Sequence, residues 1–157
     1  MTPDQLAKCG SEHAHQVAFF AWVSVARLYG IALADTWAFQ GDDVLKGLGK
    51  PSSEVTPAFK WVHAIPNGGA RGDNPKSAAI VGGMLKAEGV TPGVLDIFFP
   101  YKTKKYSGLY IEMKVKKNTV TDAQYEFGEY VISQDFSVAV CYTWREARDA
   151  LVAFYLY

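Results

Sequence analysis

The sequence predicts an α/β fold, a small mixed β-sheet flanked by helices, and three observations carry that prediction. Two runs of alternating apolar residues, VLDIFFP and LYIEMKV, are joined by YKTKKYSG, the pattern of a β-hairpin with a longish loop. A third apolar run, FSVAVCY at residues 136–142, follows a segment of helical periodicity, so that helix can act as the crossover returning the chain to the sheet. Capping pairs, Thr121 with Gln124 and Thr143 with Glu146, mark helix starts on either side of that run. At 157 residues, with 49% hydrophobic and 14% aromatic content, the chain is expected to form a single domain over residues 1–157.

Taken in order, residues 1–10 read as a loose lead-in. Ser11 is placed to cap a helix running to about Leu28, with apolar positions at Val17, Phe20, Ala21, Val25 and Leu28, and Gly30 ends it. From Ile31 to Pro57 the pattern is broken by GDD, GLGK and PSSE. That stretch reads as an inserted, variable excursion with room for one short helix. FKWVHAI (59–65) reads as a strand, and PNGGARGDN (66–74) as a glycine-rich turn into a helix with Pro75 at its first position and Gly89 beyond its end. After the hairpin, the helix opened by Thr121 carries Ala123, Phe127, Tyr130 and Val131 on one stripe, and the last helix carries Ala147, Leu151 and Phe154.

The hairpin's register follows from its alternation. Leu95, Ile97 and Phe99 must share the core face with Leu109, Ile111 and Met113, so Phe99 faces Leu109 and the same ladder sets Asp96 opposite Glu112. Asp96, Glu112 and Lys114 then converge on the other face. Two readings of those charges compete: a solvated face, which half-buried strands routinely show, or a site.

Composition narrows the partners only locally. Sixteen basic and sixteen acidic residues give a formal net charge of zero, which offers no global attraction to a polyanion. Yet Lys102, Lys104, Lys105, Lys114, Lys116 and Lys117 crowd the stretch from Tyr101 to Lys117 against the single acid Glu112, a basic patch that is also read as edge protection of a hairpin. Cys9 and Cys141 form no disulfide framework or Cys-x-x-Cys pair. MTPDQLAKCGSEHAH lacks an apolar run behind a basic start, and no segment reaches membrane-span length, so a soluble, cytoplasmic protein is expected.

Facing carboxylates repel, and something must compensate. Lys114 does so in part, and a hard divalent cation does so better, because Mg²⁺ takes carboxylate oxygens and keeps several waters. A cation and a lysine beside such a pair are the machinery for hydrolysing a phosphodiester: the cation acidifies water, neutralises charge developing on the phosphate and orients the leaving group.

The ordered set of Glu12 and Gln16 in the first helix, IPNGGAR, GVTPG before Asp96, the E-x-K triplet of Glu112 and Lys114, and then Gln124 resembles the VRR-NUC family of the PD-(D/E)XK nuclease superfamily. The resemblance implies a restriction-endonuclease-like core in which Asp96 and Glu112 ligate the metal with the carbonyl of Met113, while Lys114 positions or activates the attacking water. It also implies that Glu12 adds an outer or second-metal carboxylate, that Gln124 supports Lys114 or the DNA backbone, and that Mg²⁺, with Mn²⁺ as substitute, is the cofactor. Leu95 stands where the family usually has a proline, a departure that touches strand geometry and not metal ligation. Compact members look like structure-selective DNA nucleases, many phage-encoded, including homodimers that cut four-way (Holliday) junctions. A catalytically silent DNA-binding or assembly module on the same fold is the alternative.

Several residues carry an ordinary reading beside the functional one. Gln124 also completes the Thr121 capping box, and Glu12 also suits the positive end of its helix dipole. Asn67, Gly68 and Gly69 make an ordinary turn or, with Arg71, a phosphate contact. With DNA as partner, Lys102, Lys104, Lys105, Lys116 and Lys117 are the candidate backbone contacts. Cys9, His13 and His15 make a poor zinc pattern. His63 is either a DNA contact or a hydrogen-bonded core residue, and Trp22, Phe39, Trp61 and Trp144 are expected in the core.

Overall fold

The computed structural model describes residues 1–66, 82–116 and 118–157. Its helices are α1 (Pro3–Leu6), α2 (Glu12–Tyr29), α3 (Ile31–Gln40), α4 over residues 82–87, α5 (Asp122–Ser133) and α6 (Trp144–Tyr155). Its strands are β1 (His63–Ala64), β2 (Ile97–Phe99), β3 (Gly108–Met113) and β4 (Phe136–Cys141), with 3-10 turns at Asp42–Leu45 and Pro57–Trp61.

The strands form one sheet in the order β1-β2-β3-β4. The β1/β2 and β2/β3 pairs are antiparallel, β3/β4 is parallel, and α5 supplies the crossover between them. The hairpin has the predicted register, with Ile97 paired to Ile111, Phe98 to Tyr110 and Phe99 to Leu109. Ile97, Phe99, Leu109, Ile111 and Met113 are buried on one face, where they join the core with α2 and α6, and Leu95 is buried ahead of them. Gly108 opens β3 because a Cβ there would meet the Phe98 ring at 2.9 Å and the Phe99 carbonyl at 3.0 Å.

Helix α2 starts and stops as the sequence predicts. Ser11 Oγ accepts from the Ala14 amide at 3.1 Å, and Gly30 closes the helix at φ +91°. The buried face differs. Ala14, Ala18, Phe19, Trp22, Val23 and Ala26 point inward, whereas Val17 is exposed and Phe20, Ala21, Val25 and Leu28 flank the core. Alanines carry little hydrophobic weight in a periodicity argument, but they let neighbouring elements close on α2, so the buried arc centres on them and on the two large rings.

Other expectations are corrected. Residues 1–10 contain α1, held by a reciprocal capping box between Thr2 and Gln5. The 31–57 stretch does hold a short helix, α3, whose Ala34, Trp37 and Ala38 share one buried face; Phe39, expected in the core and about 100° further round, is 85% exposed. The 59–65 strand shrinks to His63–Ala64, because Pro57 starts a 3-10 turn that drives Phe59 into the core and leaves Trp61 outside. On α5 the buried positions are Gly128 and Val131, while Ala123 and Tyr130 are exposed. Helix α6 buries Ala147, Leu151 and Phe154 as predicted, and Trp144 with them, but its cap is not reciprocal: Thr143 accepts from the Glu146 amide, and the Glu146 carboxylate takes the Tyr142 amide instead.

Two indoles tie α6 to the N-terminal helices. Trp22 Nε1 donates to Asp35 Oδ1 at 3.0 Å, and Arg148 pairs with the same carboxylate. Trp144 Nε1 donates to Asp4 Oδ1 at 2.9 Å, and Arg145 pairs there. Each buried N–H thus has an acceptor that an arginine neutralises. The turn predicted at 66–74 and the helix start at Pro75 lie outside the described residues from position 67 onward; Gly89, at φ +89°, follows α4 as expected.

Candidate functional site

The site forms where β2 begins and β3 ends. The Ile65 amide donates to the Asp96 carbonyl at 2.7 Å, which extends β1/β2 pairing to this residue, and the preceding Leu95 is buried. The Asp96 side chain turns toward β3, where Oδ2 accepts the Met113 amide at 2.9 Å. On the other side of β3, the Lys114 amide donates to the Cys141 carbonyl at 2.9 Å and continues the parallel ladder one residue beyond the strand. The backbones of Asp96, Glu112 and Lys114 are therefore fixed by the sheet.

Glu112 and Lys114 share the sheet face opposite the core, but it is not a solvated face at this end. Glu112 is 1% exposed and Lys114 7%. Lys114 Nζ lies 2.7 Å from Glu112 Oε1, and the same oxygen accepts from Gln124 Nε2 at 2.5 Å. Gln124 satisfies its cap at the same time: the Thr121 amide and hydroxyl donate to Gln124 Oε1 at 3.0 and 3.2 Å, and the Gln124 amide donates to Thr121 Oγ1. The two readings of Gln124 are one arrangement, because the cap holds the amide oxygen and so aims the nitrogen at Glu112.

Glu112 Oε2 is buried with no hydrogen-bond partner among the described residues. Burial pushes the Glu112 carboxyl up to about 7; the Lys114 ammonium opposes that shift, and the nearby Asp96 charge adds to it. A carboxylate so placed needs more positive charge than one lysine provides to stay ionised near neutral pH. The orphaned Oε2, the Asp96 carboxylate and the Met113 carbonyl are hard oxygen donors on adjacent strands, a set that fits a small divalent cation.

Glu12 is half-buried at the first turn of α2, and its Oε1 accepts from Asn118 Nδ2 at 2.9 Å. It lines a cleft of about 530 Å³ together with His13, Gln16, Pro66 and Asp96. Among the described residues, no group of three or more His, Cys, Asp and Glu side chains comes together as a metal-holding cluster. His63 is exposed, with Nδ1 2.8 Å from the Trp61 carbonyl and its ring edge against Phe98. Cys9 is exposed beside Ser11, and His15 Nδ1 accepts the Trp144 amide.

The basic patch divides. Lys116 is exposed two residues beyond Lys114. Lys102, Lys104 and Lys105 are exposed on the loop before Gly108, the far end of β3, which is itself roughly 13 Å from Glu112 at ~3.3 Å per residue. The structure does not bring them to the carboxylates. Asn67, Gly68, Gly69, Arg71 and Lys117 lie outside the described residues. Sequence reasoning missed Asn118, which no motif singles out and which meets Glu12, 106 residues away in the chain, through a hydrogen bond that only the tertiary fold creates.

Against known proteins, the sequence gives no match: neither a protein-family model nor a curated protein matches the chain. Among solved structures, one described as a "VRR_NUC domain protein" superimposes with a TM-score of 0.56 at 18% identity, over 90% of this chain and 84% of that one. The fold is VRR-NUC-like. The mixed four-stranded sheet with flanking helices is the core that the VRR-NUC-like fold provides, and Asp96, Glu112 and Lys114 stand at one end of its central strands. Among the described residues, no helix is long and apolar enough to cross a membrane.

Proposed function

We propose that this protein is a divalent-metal-dependent DNA endonuclease that acts on branched or otherwise structured DNA. One observation carries the reading: a fully buried glutamate shares one oxygen between Lys114 and Gln124 and leaves the other, Oε2, without a partner among the described residues. A purely structural ion pair in this position would leave a costly unsatisfied atom. The VRR-NUC-like fold and the adjoining Lys116 support the choice of DNA as substrate.

In this reading Asp96, Glu112 and the Met113 carbonyl hold Mg²⁺, or Mn²⁺ in its place. When bound, the cation supplies Lewis acidity toward water and the scissile phosphate. Lys114, fixed by Glu112, orients the attacking water and offers positive charge to the phosphate oxygens. Gln124 locks the Glu112 carboxylate, and Glu12 faces the same cleft as Asp96 to receive an outer ligand or the DNA backbone. The protein acts as a homodimer in the cytoplasm, with paired sites for paired incisions.

The deciding experiment incubates four-way junction, flap, splayed-arm and linear duplex DNA with the protein and Mg²⁺, then with chelator. Cleavage of the branched substrates that Asp96→Ala and Lys114→Ala abolish is the expected result. Undiminished cutting by either purified variant overturns the mechanism. Calorimetry that detects no Mg²⁺ or Mn²⁺ binding, with or without DNA, shows instead a silent binding module.

A further inference from the structure

A second cleft, of about 490 Å³, lies beyond Lys114, and of its lining the catalytic reading uses only Lys116. Its walls are His15 from α2, Val115, Lys116 and Asn118 from the segment after β3, and Tyr142 and Thr143 from the exit of β4. The volume is within the range of small-molecule sites, about 300–1,000 Å³. Most of the surface it presents is apolar, although His15, Lys116, Asn118 and Thr143 bring polar groups to it, the chemistry that takes a flat heteroaromatic ring.

The position of the cleft is set by the sheet. The bond from the Lys114 amide to the Cys141 carbonyl joins the ends of β3 and β4, so Val115 and Lys116 leave one strand beside Tyr142 leaving the other. Tyr142 is 38% exposed, and its amide is held by Glu146 Oε2 at 2.8 Å, so the backbone carrying the ring is fixed. His15 accepts the Trp144 amide at Nδ1, which selects the tautomer carrying hydrogen on Nε2 as a donor. Asn118 is shared with the catalytic side: its Nδ2 donates to Glu12, which lines the cleft of Asp96. Lys116 supplies a cation for a phosphate.

We infer that this cleft receives an unpaired nucleotide next to the scissile phosphate, with the base against Tyr142, its edge read by His15 and Asn118, and its phosphate on Lys116. The inference rests on the endonuclease reading and refines it. An unpaired base at a branch point enters the cleft, whereas a paired base stays in its stack. Selectivity for branched DNA that exposes an unpaired nucleotide, as a flap or splayed arm does, then follows from this pocket.

The test measures binding by fluorescence anisotropy, in chelator, to three duplexes: fully paired, with one unpaired nucleotide at the centre, and with an abasic residue in place of that nucleotide. The wild-type protein is expected to bind the unpaired base about five-fold or more tightly than the abasic duplex. Tyr142→Ala should erase that difference while leaving affinity for paired duplex unchanged, and Tyr142→Phe should retain it. A thermal melt matching wild type certifies that each variant is folded. Equal affinity of wild type for base and abasic probes, or an equal loss on all three probes in Tyr142→Ala, overturns the inference and leaves the endonuclease reading standing. Failure to bind any of the three duplexes also overturns the inference, while cleavage of branched DNA with Mg²⁺ decides the endonuclease reading separately.

Discussion

Gln124 donates from Nε2 to Glu112 Oε1 across 2.5 Å while its own Oε1 completes the N-cap of α5 at Thr121. Helix start and site geometry are therefore set by one side chain, and two substitutions separate them. Gln124→Glu keeps an acceptor for the Thr121 amide, because glutamate serves the capping box as well as glutamine. It also sets a second carboxylate against the buried one. We expect α5 to stay intact by hydrogen exchange, the Glu112 carboxyl to move further up, and cleavage and Mg²⁺ affinity to fall about ten-fold or more. Gln124→Ala should lose both functions, with about 1 kcal/mol taken from folding. Wild-type Mg²⁺ affinity in Gln124→Glu would show that the contact is only a cap.

The burial of Glu112 makes stability depend on pH in a definite direction. Its carboxyl is held at about 7 in the folded protein, against an ordinary value of 4.5. Between those values the folded state binds the proton and the unfolded state has released it. The contribution is fully present below 4.5 and is lost as pH rises through 7, by an amount on the order of 3 kcal/mol. Other carboxylates titrate in the same range, so the measurement is a comparison: denaturant melts from about pH 5 to about pH 8 for wild type and Glu112→Gln. Wild type should weaken relative to the variant as pH rises, and Mg²⁺ should reverse that loss in wild type alone. Parallel profiles would mean that Glu112 titrates like an exposed side chain.

Lys114 and Glu112 form a sheltered ion pair at 2.7 Å, and removing one partner strands the other. Lys114→Met should destabilise the protein by about 3 kcal/mol at about pH 8, where the Glu112 carboxyl must either stay charged without its partner or take up a proton against the solution pH. The cost should shrink at about pH 6, because the carboxyl escapes it by taking a proton. Combining Lys114→Met with Glu112→Gln should recover most of the loss, and a double-mutant cycle measures the coupling. Additive effects of the two changes would show that the ammonium and the carboxylate do not interact.

Where the sequence was legible, a hard geometric rule was at work. Strand alternation permits only one parity, so the hairpin register and the core face from Leu95 to Met113 follow from the order of apolar residues alone. Capping positions at Ser11, Thr121 and Thr143 are likewise local, since each cap is closed within three residues. Phe39, Trp61 and the face of α2 depart from the sequence expectation because aromatic character does not choose a side. Tertiary packing does, and it prefers Trp37, Phe59 and the alanines of α2. The same gap hid the burial of Glu112. An E-x-K triplet on a strand reads alike under water or under a helix, and only α5 folding over that face distinguishes the cases.

The turn before Asp96 packs against the helix that carries Gln124, and Gly93 is the point of contact. Its φ of +90° disfavours any side chain, and an added Cβ would fall 2.5 Å from the Ala123 carbonyl oxygen and 2.6 Å from its carbon. Neither neighbour is a flexible tip, since both are backbone in the first turn of α5. Gly93→Ala combines left-handed strain with a backbone clash and should cost about 2–4 kcal/mol in a denaturant melt. Relief of the clash must move the start of α5 away from β2, which draws Gln124 off Glu112. The variant should therefore lose Mg²⁺ affinity even under conditions where it remains fully folded. Gly89, at φ +89°, has open space around its would-be Cβ and serves as the control. Gly89→Ala should pay for backbone strain alone and keep wild-type metal binding, and a matching loss of Mg²⁺ affinity in both variants would break the link drawn from the Gly93 turn to the carboxylates.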